Sequence, residues 1–114
     1  MTVVAHESVR TWTEVLSEDN LWDGEMVPVK VGTLDLLLIN VDGEIRAYED
    51  RCPHQKTSLS DGDLTDGIVT CPSHLWEFDA VTGEGVNPTN CALTAFRVKV
   101  EDGSICVDLG PVAR

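Results

Sequence analysis

A chain of 114 residues has room for one hydrophobic core, so residues 1–114 are expected to form a single domain. Its 20 Asp and Glu against 8 Lys and Arg leave a net charge of −12, which repels nucleic acid and anionic lipid and favours basic surfaces on partner proteins. The longest apolar run, residues 36–39 (LLLI), is too short to span a bilayer, and the opening MTVVAHESVRTW lacks a basic segment followed by an apolar one. The expectation is a soluble, cytoplasmic monomer with neither a membrane nor a nucleic-acid partner.

In chain order, residues 11–15 (TWTEV) alternate as a strand does, and residues 17–22 (SEDNLW) suit a single helical turn with Ser17 as N-cap. Residues 25–31 (EMVPVKV) resume the alternation, but Pro28 confines them to an edge or a bulge. LDLLLINV, Asp42-Gly43 and EIRAY form one predicted hairpin; AFRVKVE, Asp102-Gly103 and SICVDL form another. In the second, Phe96, Val98 and Val100 share one face, and Arg97, Lys99 and Glu101 the other. Trp12 and Trp22 are expected to anchor this base, with Trp22 stapling the helical turn. Residues 49–94 differ: they are rich in Gly, Pro, Asp and Thr, with short strand-like pieces only at 67–70 and 75–78. The predicted architecture is all-β, an antiparallel base carrying a small loop-built lobe.

That lobe holds Cys52-Pro53-His54 and, after sixteen residues, Cys71-Pro72-Ser73-His74. In a reducing compartment such cysteines more often hold metal than form disulfides. A structural zinc site in a binding module accepts two Cys and two His, but its common spacings do not put one of each on both knuckles. A Cys nucleophile with a His base uses one pair and leaves the duplicate idle. A two-iron cluster, with two Cys on one iron and two His on the other, accounts for both mixed pairs.

On these residues the chain resembles the Rieske proteins, whose motif is C-x-H followed by C-x-x-H. The resemblance implies one [2Fe–2S] cluster bound by Cys52, His54, Cys71 and His74, in a Rieske fold whose third loop, here at Gly85-Val86-Asn87-Pro88, covers the cluster. It implies no catalytic residue. Thr57 and Ser73 stand where respiratory Rieske domains carry an extra disulfide, and Trp76 and Phe78 replace their hydroxyl donors. Between Thr57 and Phe96 lie six acids and no Lys or Arg. Lost donors and surplus negative charge both disfavour the reduced cluster, so the expected potential lies in the lower half of about −150 to +300 mV.

The run Cys71-Pro-Ser-His-Leu-Trp-Glu-Phe, with Thr82-Gly-Glu-Gly-Val-Asn-Pro and Cys91 beyond it, resembles the ferredoxin components of soluble diiron monooxygenases of the toluene, alkene and isoprene type. That implies an NADH-dependent flavin and iron–sulfur reductase as electron donor and a diiron hydroxylase, acting on hydrocarbons, as acceptor. The ferredoxin of a ring-hydroxylating dioxygenase is the alternative. The Rieske-like small subunit of a nitrite reductase fits less well, since neither a ligand nor the Trp76 run is lost. Gln55, Leu75, Trp76 and Pro88 are expected to surround the cluster as docking face or cover. For Trp76, a core position is an equal expectation. His6, Cys91 and Cys106 lie outside the motif and read as non-ligands.

Overall fold

The computed structural model describes residues 12–53, 57–73, 75–87 and 91–111. Among these, ten strands make two antiparallel sheets. The larger has six strands in the order β1-β10-β9-β4-β3-β2. These are β1 (Trp12–Ser17), β2 (Met26–Val31), β3 (Leu34–Val41), β4 (Glu44–Glu49), β9 (Ala95–Glu101) and β10 (Ser104–Pro111). Its edge strands β1 and β2 approach one another, so the sheet curls toward closure. The smaller sheet runs β5 (Asp63–Thr65), β6 (Ile68–Thr70), β7 (Glu77–Asp79), β8 (Gly85–Asn87).

The base agrees closely with its sequence. Residues at Asp42-Gly43 and Asp102-Gly103 all have positive φ, between 53° and 87°. That is the turn geometry whose twist matches two paired strands, and Gly adopts it without a Cβ clash. Ser17 caps a 3-10 turn at Glu18–Asn20 by accepting the Asp19 N–H. Pro28 lies on the edge strand β2, exposed, where a missing N–H costs no ladder bond. In β9, Phe96 is buried and Arg97 and Glu101 are exposed as expected, but Val100 is 42% exposed, so the apolar face fades toward the strand's end.

Trp22 does not anchor the base: it is 70% exposed. Its indole N–H donates to the Asp19 carbonyl at 2.7 Å, which staples the turn by a hydrogen bond while the ring stays in water. Trp12 is half-buried, with the Lys99 ammonium 4.7 Å from its ring centroid. The lobe has more regular structure than its composition suggests, because β5 and β8 complete a four-stranded sheet.

The LLLI run is the hinge of the architecture. Leu36 and Leu38 face the interior of the base with Leu21, Ala47, Phe96, Ile105 and Val107. Leu37 and Ile39 face the lobe with Tyr48, Leu59, Val69 and Phe78. Strand residues alternate between faces, so a strand with a core on both sides must be apolar at every position.

Candidate metal centre

Two strands lead into the centre. β4 ends at Glu49 and the chain turns into Cys52; β6 ends at Thr70 and turns into Cys71. Both thiols are fully buried, within the same apolar cluster as Leu59, Val69 and Phe78, and neither is in a disulfide. The two loops close in the same way. The Cys52 N–H donates to the Thr57 carbonyl at 2.9 Å, and the Cys71 N–H donates to the Trp76 carbonyl at 2.8 Å. Each cysteine thus opens a six-residue loop pinned from residue i to i+5. His54 falls inside the first and His74 inside the second, although C-x-H and C-x-x-H place them at different steps.

The second loop is tightened further by the Leu75 N–H, which donates to the Cys71 carbonyl at 3.0 Å. That bond goes with a left-handed backbone at Leu75 (φ 59°), a conformation costly for a residue with a Cβ. The side chain is nevertheless 68% exposed. A left-handed backbone held at a non-glycine residue makes this position a candidate for a role beyond packing. Trp76 is half-buried against the cysteine-containing core, so it divides its ring between core and surface. Phe78 is fully buried.

After the first loop comes the 3-10 turn at Leu59–Asp61, which contacts β2. Gly62 lies so close to the Thr70 carbonyl that any Cβ there would collide with it. Asp50, 7% exposed, accepts from the Ser60 N–H at 2.8 Å and the Ser60 hydroxyl at 2.7 Å. Sequence reasoning passed over Asp50, and its place two residues before Cys52 was the available signal. The third loop begins in β8, where Val86 is 53% exposed.

His54, Gln55, His74 and Pro88 lie outside the described residues, as does His6. Among the described residues no three His, Cys, Asp or Glu gather as a metal cage. Cys91 is exposed and Cys106 half-buried, and neither is in a disulfide. The donor chemistry that is described fits an iron–sulfur centre: two buried thiols, in matched loops, within one apolar shell. Among the described residues no helix is long and apolar enough to cross a membrane.

Comparison with known proteins agrees with this geometry. The family model for the Rieske [2Fe-2S] domain matches residues 11–97. The chain is 40% identical over 104 residues to the ferredoxin component of the alkene monooxygenase system of Xanthobacter autotrophicus, covering 90% of this chain and 85% of that one. It is 33% identical over 105 residues to the biphenyl dioxygenase ferredoxin subunit of a Pseudomonas species, covering 90% and 96%. The Sphingomonas yanoikuyae B1 ferredoxin superposes with a TM-score of 0.78 at 31% identity, over 86% of this chain and 98% of that one. A chain in a complex of reduced oxygenase and oxidised ferredoxin of carbazole 1,9a-dioxygenase superposes with a TM-score of 0.83 at 29% identity, covering 92% and 99%. These relatives are electron-transfer components rather than catalytic subunits. The buried thiol pair, its matched loops and the family match lead to one conclusion: the chain belongs to the Rieske [2Fe-2S] domain family, as a ferredoxin that carries electrons on one such cluster.

Proposed function

We propose that residues 1–114 form a single Rieske domain that carries single electrons from an NADH-dependent flavin reductase to the hydroxylase of a multicomponent diiron monooxygenase acting on hydrocarbons. The observation that carries this reading is the 40% identity, over 90% of the chain, to the ferredoxin of an alkene monooxygenase system. In this reading Cys52 and Cys71 bind one iron and His54 and His74 the other. The cluster supplies a site that gains and loses one electron. The chain supplies the rest.

Cys52 and Cys71 sit at zero exposure, so protein rather than water surrounds the sulfur side of the site. Between Thr57 and Phe96 the chain has six acids and no cation, a field that opposes an added electron and favours passing it on. This supports a potential in the lower half of about −150 to +300 mV. Leu75 is 68% exposed and in this reading offers an apolar contact to a partner; Gln55, Trp76 and Pro88 are the other residues assigned to the docking face. Shuttling requires prompt release, and a small contact of this kind suits a transient complex.

A second reading, the ferredoxin of a ring-hydroxylating dioxygenase, is favoured by the 33% identity to the biphenyl dioxygenase subunit and the likeness to the carbazole 1,9a-dioxygenase complex. Reconstitution separates the two. The dithionite-reduced protein is expected to give a rhombic EPR signal with an average g below that of an all-cysteine cluster. It is then mixed with a diiron hydroxylase or with a dioxygenase terminal component, and product is measured. Turnover with the diiron hydroxylase supports the first reading, and turnover confined to the dioxygenase transfers the chain to the second. A colourless protein with stoichiometric zinc sinks both.

A further inference from the structure

We propose that Asp50 is a positioning residue that clasps the first cluster loop and, through its charge, lowers the potential of the site; this rests on reading Cys52 as a ligand. The two loops are held unequally. Beyond the Cys71–Trp76 closure, the second loop is held by a backbone ladder, with Thr70 paired to Glu77 and Val69 to Phe78. Among the described residues the first loop has no such ladder on its far side: after Thr57 the chain enters the 3-10 turn at Leu59–Asp61.

Asp50 takes the ladder's place. Its Oδ1 accepts the Ser60 N–H at 2.8 Å and its Oδ2 accepts the Ser60 hydroxyl at 2.7 Å, which shuts an outer ring around the loop that Cys52 and Thr57 close within. Its own N–H donates to the Asp35 carbonyl at 2.9 Å, so the clasp is fixed to the start of β3. One residue therefore joins the exit of β4, the start of β3 and the far side of the loop.

An asparagine could make the same two contacts, its oxygen accepting from the Ser60 N–H and its amide donating to the hydroxyl. It would avoid the desolvation that a buried carboxylate suffers. The carboxylate adds a negative charge two residues from Cys52. No ion pair among the described residues neutralises it, and the adjacent Arg51 points to Glu49 at 3.9 Å. A cluster gaining an electron becomes more negative, and a nearby carboxylate opposes that gain. A cavity of about 210 Å³, lined by Asp35, Glu49, Asp50, Arg51 and Ser58, admits solvent that weakens this effect without cancelling it.

The test uses cluster-loaded protein: wild type, Asp50→Asn, Asp50→Ala and Ser60→Ala. The midpoint potential is read by redox titration, and the half-life of the visible absorbance is followed in excess iron chelator. Asp50→Asn is expected to keep its EPR g values and its half-life while its potential moves upward. Asp50→Ala is expected to lose absorbance several-fold faster. Ser60→Ala, which keeps the charge and the backbone bond, is expected to fall between in half-life with the potential unmoved. An unchanged potential in Asp50→Asn overturns the electrostatic role. Half-lives in Asp50→Ala and Ser60→Ala equal to that of wild type overturn the clasp. Should Asp50→Ala fail to fold, Ser60→Ala decides the clasp alone. Wild-type protein without a His-ligated EPR signal would remove the ligand reading instead.

Discussion

The base and the lobe share strand β3 yet are held together by different means. The base core is aliphatic apart from Phe96 and is built by strands of six to eight residues. The lobe has strands of three residues, and its core includes both thiols, Cys52 and Cys71. Three-residue strands bury too little to order themselves, so the lobe is expected to depend on the base beneath it and on the metal proposed for it.

The largest expected effect comes from removing a proposed ligand. Cys52→Ser or Cys71→Ser should abolish the red-brown colour and leave the lobe without its metal crosslink. Backbone amides of β5 to β8 should then exchange quickly, while those of β3, β9 and β10 stay protected in the same hydrogen-exchange experiment. Equal loss of protection in base and lobe would show that the two form one cooperative unit.

Next come two neighbours on one strand. Leu37 and Leu38 are both fully buried, but Leu37 faces the thiol-containing core and Leu38 the base interior. Each substitution by Ala should cost about 2–5 kcal/mol through lost burial and the cavity left behind. The consequences should differ. Leu38→Ala lowers the melting temperature of the whole protein, whereas Leu37→Ala releases iron at a temperature below that at which the base unfolds. Coincident iron release and unfolding in both variants would count against separate cores.

This contrast also explains what the sequence reveals. The base is legible because its strands alternate and its turns carry Asp-Gly at positive φ. The proposed metal centre is read from two thiols and two imidazoles at fixed spacing, of which the structure describes the two thiols, both buried. The LLLI run is harder to interpret, since alternation disappears when both faces are buried. β5 and β8 escape notice because three residues are too few to show a period. Trp22 misleads because size and hydrophobicity argue for the interior, while one hydrogen bond to Asp19 holds the ring outside. The matched i to i+5 closures are backbone events, and no side-chain pattern encodes them.

A smaller effect tests the join between the two regions. Tyr48 on β4 reaches across to the lobe and donates its hydroxyl to the Ala80 carbonyl at 2.8 Å. Burial pushes its pKa up from 10 to about 12; the Arg46 charge opposes that rise and Asp79 adds to it. The unfolded chain therefore loses this proton first. The stabilisation is fully present below pH 10 and is lost as pH rises toward 12. Denaturant titrations across that range should show stability falling in wild type. Tyr48→Phe should start about 1 kcal/mol lower at neutral pH and lose the Tyr48 share of the alkaline decline. An identical slope in both proteins would locate the alkaline loss elsewhere.

The smallest effect separates strain from contact at Leu75, where lobe meets solvent. A left-handed residue with a Cβ costs roughly 1–2 kcal/mol, and glycine removes that cost but gains about 0.5–1 kcal/mol of unfolded-state entropy. Leu75→Gly should therefore be as stable as wild type or slightly more so, whereas Leu75→Ala keeps the strain and gains nothing. In electron transfer to an oxygenase partner the two should behave alike, both slower than wild type, because each lacks the exposed apolar side chain. If Leu75→Gly alone is slow, rigidity of the second loop is what the leucine provides. If neither is slow, the strain at φ 59° serves only to close the loop from Leu75 to Cys71, and the docking contact lies on other residues.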